Sequence, residues 1–274
     1  MTPIALDALA ALVPDGSLVA LAPDYALPAC ALAHALARRG ARGLRLIGVP
    51  TSGYATDVLV GAGCVAAVET SAASIGESGL APRFAAALAA GTIAVIDATC
   101  PAIHTMLQAA EKGVPFMPLR GVLGSDLPAH RPDWKVIDNP FSDHKDPILL
   151  LPALIPDIAL FHALQADAHG NVYVGRRREL ATMAHAARRS LVTVERVVEG
   201  NMLQDERLAP GCISGVYVEA IAVAERGAWP CGAVGEYPAD FAQLASYARA
   251  ARTEEGFRAY LARHVLTPHA AAAE

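Results

Sequence analysis

The stretch Ser17-Leu-Val-Ala-Leu-Ala-Pro-Asp-Tyr-Ala-Leu-Pro-Ala-Cys-Ala-Leu-Ala-His-Ala-Leu-Ala-Arg-Arg-Gly-Ala-Arg-Gly-Leu-Arg-Leu-Ile-Gly-Val49 decides the fold class. Ser17 to Leu21 and Leu44 to Val49 are short apolar runs bounded by turn formers, as expected of buried strands. Pro28 to Arg39 between them reads as a helix. Working outward, the same kind of run recurs at Cys64 to Glu69, Thr92 to Ile96, Ile148 to Leu151, Asp157 to His162, Asn171 to Val174, Leu191 to Glu195 and Ala220 to Val223. Helix-like stretches at Pro82 to Ala90 and Ala102 to Lys112 end at Gly91 and Gly113, where glycine can take the left-handed conformation that closes a helix. Strands alternating with helices, and apolar on both faces, imply an α/β fold with an open, mostly parallel sheet flanked by helices.

The 274 residues fall within the range of one large α/β domain, expected over 1–266, and the Ala-rich segment 267–274 reads as a frayed tail. With 54% apolar and 18% charged residues, the chain has material for a core and little for disorder. A net charge of -5 gives no electrostatic case for nucleic acid or an anionic membrane surface, so neither is expected as a partner. The five cysteines are widely spaced and include no C-x-x-C pair, which points to reduced thiols and a cytoplasmic location. Neither a signal sequence nor a membrane span is expected, because the start lacks an early Lys or Arg and Pro152 and Pro156 interrupt the most apolar stretch. Pro128, Pro132 and Pro140 mark Leu119 to Lys145 as an excursion that covers a site or meets a partner.

Phosphate-binding signatures are missing. There is no G-x-x-x-x-G-K-[ST], and Gly61-Ala62-Gly63 lacks the third glycine of a dinucleotide fingerprint and reads as a turn before a strand. There is no G-x-S-x-G elbow, and the nine histidines include no H-E-x-x-H and no cluster at ligand spacing, so no metal is expected. His104 and His185 lie in helical patterns and read as surface or satisfied residues. His162 ends an apolar strand, a place that suits a crevice side chain as well as a hydrogen-bonded structural one. Arg176, Arg177 and Arg178 read as a solvated face, with contact to ligand phosphates as the functional alternative.

A set of ordered blocks carries a family resemblance from about Leu12 to Val223. They are Met106 to Pro118, containing Val-Pro-Phe-Met-Pro; Gly124-Ser125-Asp126-Leu127; Ile137 to Phe141; Pro156 to Val172, with its His-x-x-x-Ala-Asp and Gly-Asn-Val turn; and Thr193-Val-Glu195. In this order they resemble the α subunit of family I CoA-transferases of the glutaconate type, within the 3-oxoacid CoA-transferase superfamily. The resemblance implies a fold shared with sugar-phosphate isomerases and a β-type partner subunit, with α2β2 as the expected assembly. It implies an acyl-CoA and a carboxylic acid as substrates, no permanently bound cofactor, and the coenzyme A thioester as the group handled. It also implies a glutamate nucleophile, usually on the partner, that forms an anhydride and then a glutamyl-CoA thioester.

The chain departs from the family where a glycine-rich loop is expected after the first strand. It reads Ala22-Pro23-Asp24-Tyr25, and a proline donates no N–H. Asp24 is a turn residue, a cap for the helix beginning near Pro28, or an acid/base in the pocket. Gly76-Glu77-Ser78-Gly79 stands where 3-oxoacid CoA-transferase α chains carry Gly-Glu-Asn, making Glu77 the candidate catalytic carboxylate of this chain and Ser78 a candidate contact. Cys100 sits where steroid-ring-opening hydrolases of the same fold carry a glutamate, at a helix N-terminus whose dipole favours a reactive thiolate. A small buried side chain is the structural alternative. Gly121, Gly124 and Ser125 follow the Pro115 to Pro118 strand and are candidate backbone and hydroxyl contacts to substrate, or simply a tight turn. An acyl-CoA or ring-opening C–C hydrolase, and a non-catalytic acyl-CoA-binding subunit, remain the alternative functions.

Overall fold

A computed structural model describes residues 1–266; the segment expected as a frayed tail lies outside the described residues. In chain order the elements are α1 (Leu6–Ala11), β1 (Leu18–Leu21), α2 (Cys30–Arg39), β2 (Leu44–Gly48), α3 (Tyr54–Gly61), β3 (Val65–Thr70), α4 (Pro82–Ala89), β4 (Ala94–Asp97) and α5 (Cys100–Glu111). There follow β5 (Phe116–Leu119), β6 (Lys135–Asp138), β7 (Pro147–Pro152), β8 (Ile158–Asp167), β9 (Val172–Tyr173), α6 (Arg178–Ala186), β10 (Ser190–Val198), β11 (Cys212–Ile213), β12 (Val218–Val223), α7 (Phe241–Ala250) and α8 (Glu254–His264).

The period of two in the strands separates two cores. Val19, Leu21, Leu44, Leu46, Ile158 and Leu160 point to the face covered by α1, α2 and α3. Ala20, Ile47, Ala159, Phe161 and Val192 point to the face covered by α5 and α6. Both sets are buried, so these strands are apolar throughout, and each large side chain removed from water contributes about 1.5–3 kcal/mol. A third apolar cluster joins α7 and α8 to Tyr54 and Val58 of α3.

Parallel pairing runs β12-β10-β8-β1-β2-β3-β4. The chain order reverses beside β1: β2, β3 and β4 are laid down on one side, and β8, β10 and β12 on the other. β8 is longer than its sequence run. Its first half pairs with β1, its second half pairs antiparallel with β9, and β10 follows its other edge. His162 is therefore inside β8 rather than at its end, because Ala163 to Asp167 continue the ladder.

The excursion 119–145 is less irregular than its prolines suggest. β6 lies within it, and β5, β7 and β6 form a separate antiparallel sheet, so the Ile148 to Leu151 run belongs there rather than in the parallel sheet. Buried Leu149 and Leu151 dock this sheet on the α5 side of the core. Arg131 anchors the excursion: it ion-pairs Glu69 at 2.9 Å and Asp133 at 2.8 Å, donates to the Asp97 carbonyl and stacks over Trp134. Four helices, α1, α3, α7 and α8, are not marked by the sequence pattern, and α6 is marked only by the helical pattern around His185. Gly91 and Gly113 do take positive φ, +64° and +67°, after α4 and α5.

Candidate active site

The reversal beside β1 opens a crevice at the carboxyl ends of the parallel strands, the position where open α/β sheets bind ligands. A cavity of about 320 Å³ lies there, lined by Tyr25 and Pro50 from the loops after β1 and β2, His104 and Gln108 from α5, and Arg178, Glu179 and Thr182 from α6. Two helices and two loops converge on it for simple reasons. Thr99 caps α5 by accepting from the Ala102 amide, which starts that helix directly at the end of β4. His104 and Gln108, and likewise Arg178 and Thr182, are four residues apart and so share a helix face.

The cavity's electrostatics are set by one carboxylate. Burial pushes the His104 imidazole below the ordinary histidine value, and the charge of Glu179 opposes that shift. Burial and then Glu179 raise the Tyr25 phenol above its usual value, while the Thr51 hydroxyl opposes them. At neutral pH, His104 is thus a neutral imidazole and Tyr25 a protonated phenol; each can donate one hydrogen bond. Among the described residues, neither Arg178 nor Glu179 has an ion-pair partner, and no three His, Cys, Asp or Glu side chains are grouped to hold a metal.

Of the residues singled out in the sequence, His104 and Arg178 line the cavity; Cys100 acts electrostatically on the lining phenol of Tyr25, and Asp24 precedes Tyr25 in the loop after β1, but neither is part of the lining. Cys100 is exposed at the start of α5, not buried, with Sγ 3.1 Å from Ser71 Oγ; Ser71 in turn donates to the Pro50 carbonyl at 2.8 Å. With the Ser71 proton so used, the thiol is the donor of the pair. Asp24 caps a helix, but not the one near Pro28. Its carboxylate accepts from the Tyr54 amide at 2.9 and 3.0 Å, at the N-terminus of α3, and a Cβ on Gly53 would collide with it at 2.1 Å. Burial pushes the Asp24 carboxyl up to about 6; the Tyr54 amide and Cys231 thiol pull it down and the charge of Asp57 adds to the rise.

The other candidates do not line this cavity. Glu77 is exposed on the short 3-10 turn Gly76–Ser78 beyond β3, beside the partly buried Ser78. Gly121, Gly124 and Ser125 lie exposed in the loop after β5; Gly124 has φ +87°, and the Ser125 hydroxyl already donates to the Val122 carbonyl at 2.8 Å. The motif blocks also have structural work. Asp167 accepts from the amides of His169, Asn171 and Met202 and from the Asn171 side chain, which ties the turn after β8 to the loop after β10. Burial acts to raise the Asp167 carboxyl and these bonds outweigh it.

Sequence reasoning misses Tyr25, Gln108, Glu179 and Thr182, and sets His104 aside. A signal is available: polar residues at i and i+4, on α5 among Ala102, Ile103, Met106, Leu107 and Ala109, interrupt an otherwise apolar surface.

Known proteins share this architecture. Residues 3–224 match the family model described as coenzyme A transferase. A protein of Archaeoglobus fulgidus is 33% identical over 85% of this chain, which spans 52% of that relative's length. The A-type subunit of 3-oxoadipate CoA-transferase from Pseudomonas knackmussii is 29% identical over 94% of this chain and 91% of its own. The crystal structure of glutaconate coenzyme A-transferase from Acidaminococcus fermentans superposes with a TM-score of 0.89 at 27% identity, covering 97% of this chain and 89% of that one. With a family model that matches residues 3–224, most of its length, the chain belongs to the coenzyme A transferase family.

Proposed function

We propose that this chain is the A-type subunit of a two-subunit enzyme that moves coenzyme A between an acyl-CoA and a carboxylic acid, through a glutamyl-CoA intermediate on the partner. The observation that carries this reading is a crevice at the strand reversal without a carboxylate of its own poised as nucleophile. Glu77 is solvated away from the cavity, Asp24 is committed to the α3 amide, and Glu179, the one carboxylate of the lining, stands beside Arg178 in sequence and interacts electrostatically with Arg177. A partner glutamate is then required to attack the thioester carbonyl; its carboxylate oxygen bonds to the acyl carbon and the CoA thiolate leaves. The thiolate next attacks the glutamyl carbonyl of the mixed anhydride and releases the acid. The 3-oxoadipate relative is itself an A-type chain of similar length, and the glutaconate enzyme shares the whole fold; both support a β-type partner here.

The test is to co-purify the chain with its β-type partner, incubate with acyl-CoA, and trap with hydroxylamine or borohydride. A single marked glutamate on the partner is expected. Absence of any mark, with steady release of free CoA, supports the second reading instead, a thioester hydrolase. One observation favours that reading: His104, half-buried and under the charge of Glu179, has the surroundings of a general base for water.

A further inference from the structure

Cys30 and Cys231 form a buried pair of free thiols: they stand 201 positions apart in the chain, and the Cys30 thiol donates to the Cys231 sulfur at 3.8 Å. Cys30 opens α2, directly after the loop that carries Asp24 and Tyr25. Cys231 lies in the segment after β12, beyond residue 224, where the match to the coenzyme A transferase family ends. The backbones that bring the sulfurs together are already fastened. The Ala31 amide donates to the Gly227 carbonyl at 2.9 Å, and the Cys231 amide to the Ala228 carbonyl at 2.9 Å. As small apolar side chains in the cluster of Tyr54, Leu244 and Tyr247 the two would be inert. The Asp24 carboxylate changes that, because it accepts a hydrogen bond from the Cys231 thiol and so gives the thiol proton somewhere to go. We propose that Cys30 and Cys231 are an oxidative modification site, a dithiol that a small peroxide converts to a disulfide joining α2 to the segment after β12. The cross-link is independent of which reaction the crevice performs.

Cys231 is 8% exposed and Cys30 0%, so peroxide meets Cys231 first. Its sulfur attacks one peroxide oxygen: an S–O bond forms, the O–O bond breaks, and the thiol proton passes to Asp24 and on to the departing hydroxide, which leaves as water. The Cys30 sulfur then attacks the Cys231 sulfur. The S–S bond forms, the S–O bond breaks, and hydroxide leaves with the Cys30 proton as a second water. The two sulfurs lose a pair of electrons and the peroxide gains it. Closing 3.8 Å to a bond of about 2 Å asks for a movement of roughly 2 Å shared between two segments. Burial, and then contact with Cys30, pushes the Cys231 thiol up, so the pair rests protonated and sustained peroxide is the trigger. A disulfide made this way is the transient, redox-responsive kind that a reducing compartment tolerates.

The experiment treats the native full-length chain with hydrogen peroxide, blocks remaining thiols with N-ethylmaleimide and digests without reduction. A peptide joining Cys30 to Cys231, lighter than the reduced pair by two hydrogens and released by dithiothreitol, is expected. Cys100 supplies the internal contrast: exposed, with its Sγ against the Ser71 hydroxyl rather than a thiol, it gains oxygen atoms instead. The oxidised chain should melt about 5 °C or more above the reduced one, because the cross-link closes a long loop in the unfolded state. Cys30→Ala and, separately, Cys231→Ala should each abolish both the cross-link and the peroxide-dependent shift. Should either variant fail to fold, the peptide map of the unsubstituted chain still decides. Sulfinic acid at Cys231 without a cross-link, a Cys30-to-Cys231 peptide found only after unfolding in urea, or a melting shift that persists in either variant overturns the assignment.

Discussion

His162 and His104 stand in two regions of the sheet's carboxyl side and have opposite surroundings. His162 is fully buried in β8, with Nδ1 2.9 Å from Thr193 Oγ1 and Nε2 2.7 Å from Glu195 Oε1. Glu195 also accepts from the Tyr237 hydroxyl at 2.8 Å and the Arg226 amide at 2.7 Å. Burial acts to raise the Glu195 carboxyl, and the bonds from His162, Arg226 and Tyr237 outweigh it and hold it below its ordinary value. No atom of that imidazole is left for a ligand. His104 faces a cavity whose charged groups, Arg178 and Glu179, have no ion-pair partner among the described residues. A histidine's place in the local sequence pattern is a poor guide to function by itself; whether its ring nitrogens are already taken is the better one.

The strongest way to break this comparison is to remove the acceptor at the centre of the saturated network. Glu195→Leu leaves His162, Tyr237 and the Arg226 amide without their acceptor, and should cost about 3–5 kcal/mol in urea unfolding. A loss below about 1 kcal/mol would show that the network is not structural.

Asp24, which is part of neither the His162 network nor the cavity lining, gives an intermediate effect. Its folded-state pKa is raised, so the folded protein binds more protons than the unfolded one between the ordinary carboxyl value of 3.8 and about 6. Its contribution to stability is complete below that window and is lost as pH rises through about 6. Asp24→Asn keeps an acceptor for the Tyr54 amide and cannot ionise. The variant should flatten the fall in stability between pH 4 and 7 by something of order 2 kcal/mol, allowing for solvent screening. Parallel stability curves for the two proteins across that range would contradict the assigned protonation.

The smallest stability effect belongs to His104. Truncation to alanine on a half-buried helix face should change unfolding free energy by less than about 1 kcal/mol while turnover by the complex falls about tenfold or more. Equal losses of stability and activity would make His104 a packing residue and remove the contrast with His162.

Much of the fold could be read from local pattern. The runs at Leu44 to Val49 and Cys64 to Glu69 match β2 and β3 to within a residue because strands buried on both faces need continuous apolar sequence. Tyr54 to Gly61 defeated the same logic. Its aromatic and β-branched residues do not advertise a helix, and Tyr54 to Val60 are buried, so no polar face marks a period. The Asp24 cap and packing against α7 and α8 make it α3, and neither lies nearby in sequence. The Ile148 to Leu151 and Pro115 to Pro118 strands were legible, but β6 and the antiparallel pairing of all three were not, since pairing is chosen by distant segments.

Composition and periodicity by themselves determined a helix-covered, largely parallel sheet, and the ordered turn blocks determined the family, because buried strands and tight turns impose local demands on residue type. Only the tertiary structure decided which polar side chains work together. Tyr25, His104 and Glu179 come from three remote segments, and the donors left unsatisfied when those segments meet depend on every bond already made elsewhere in the chain.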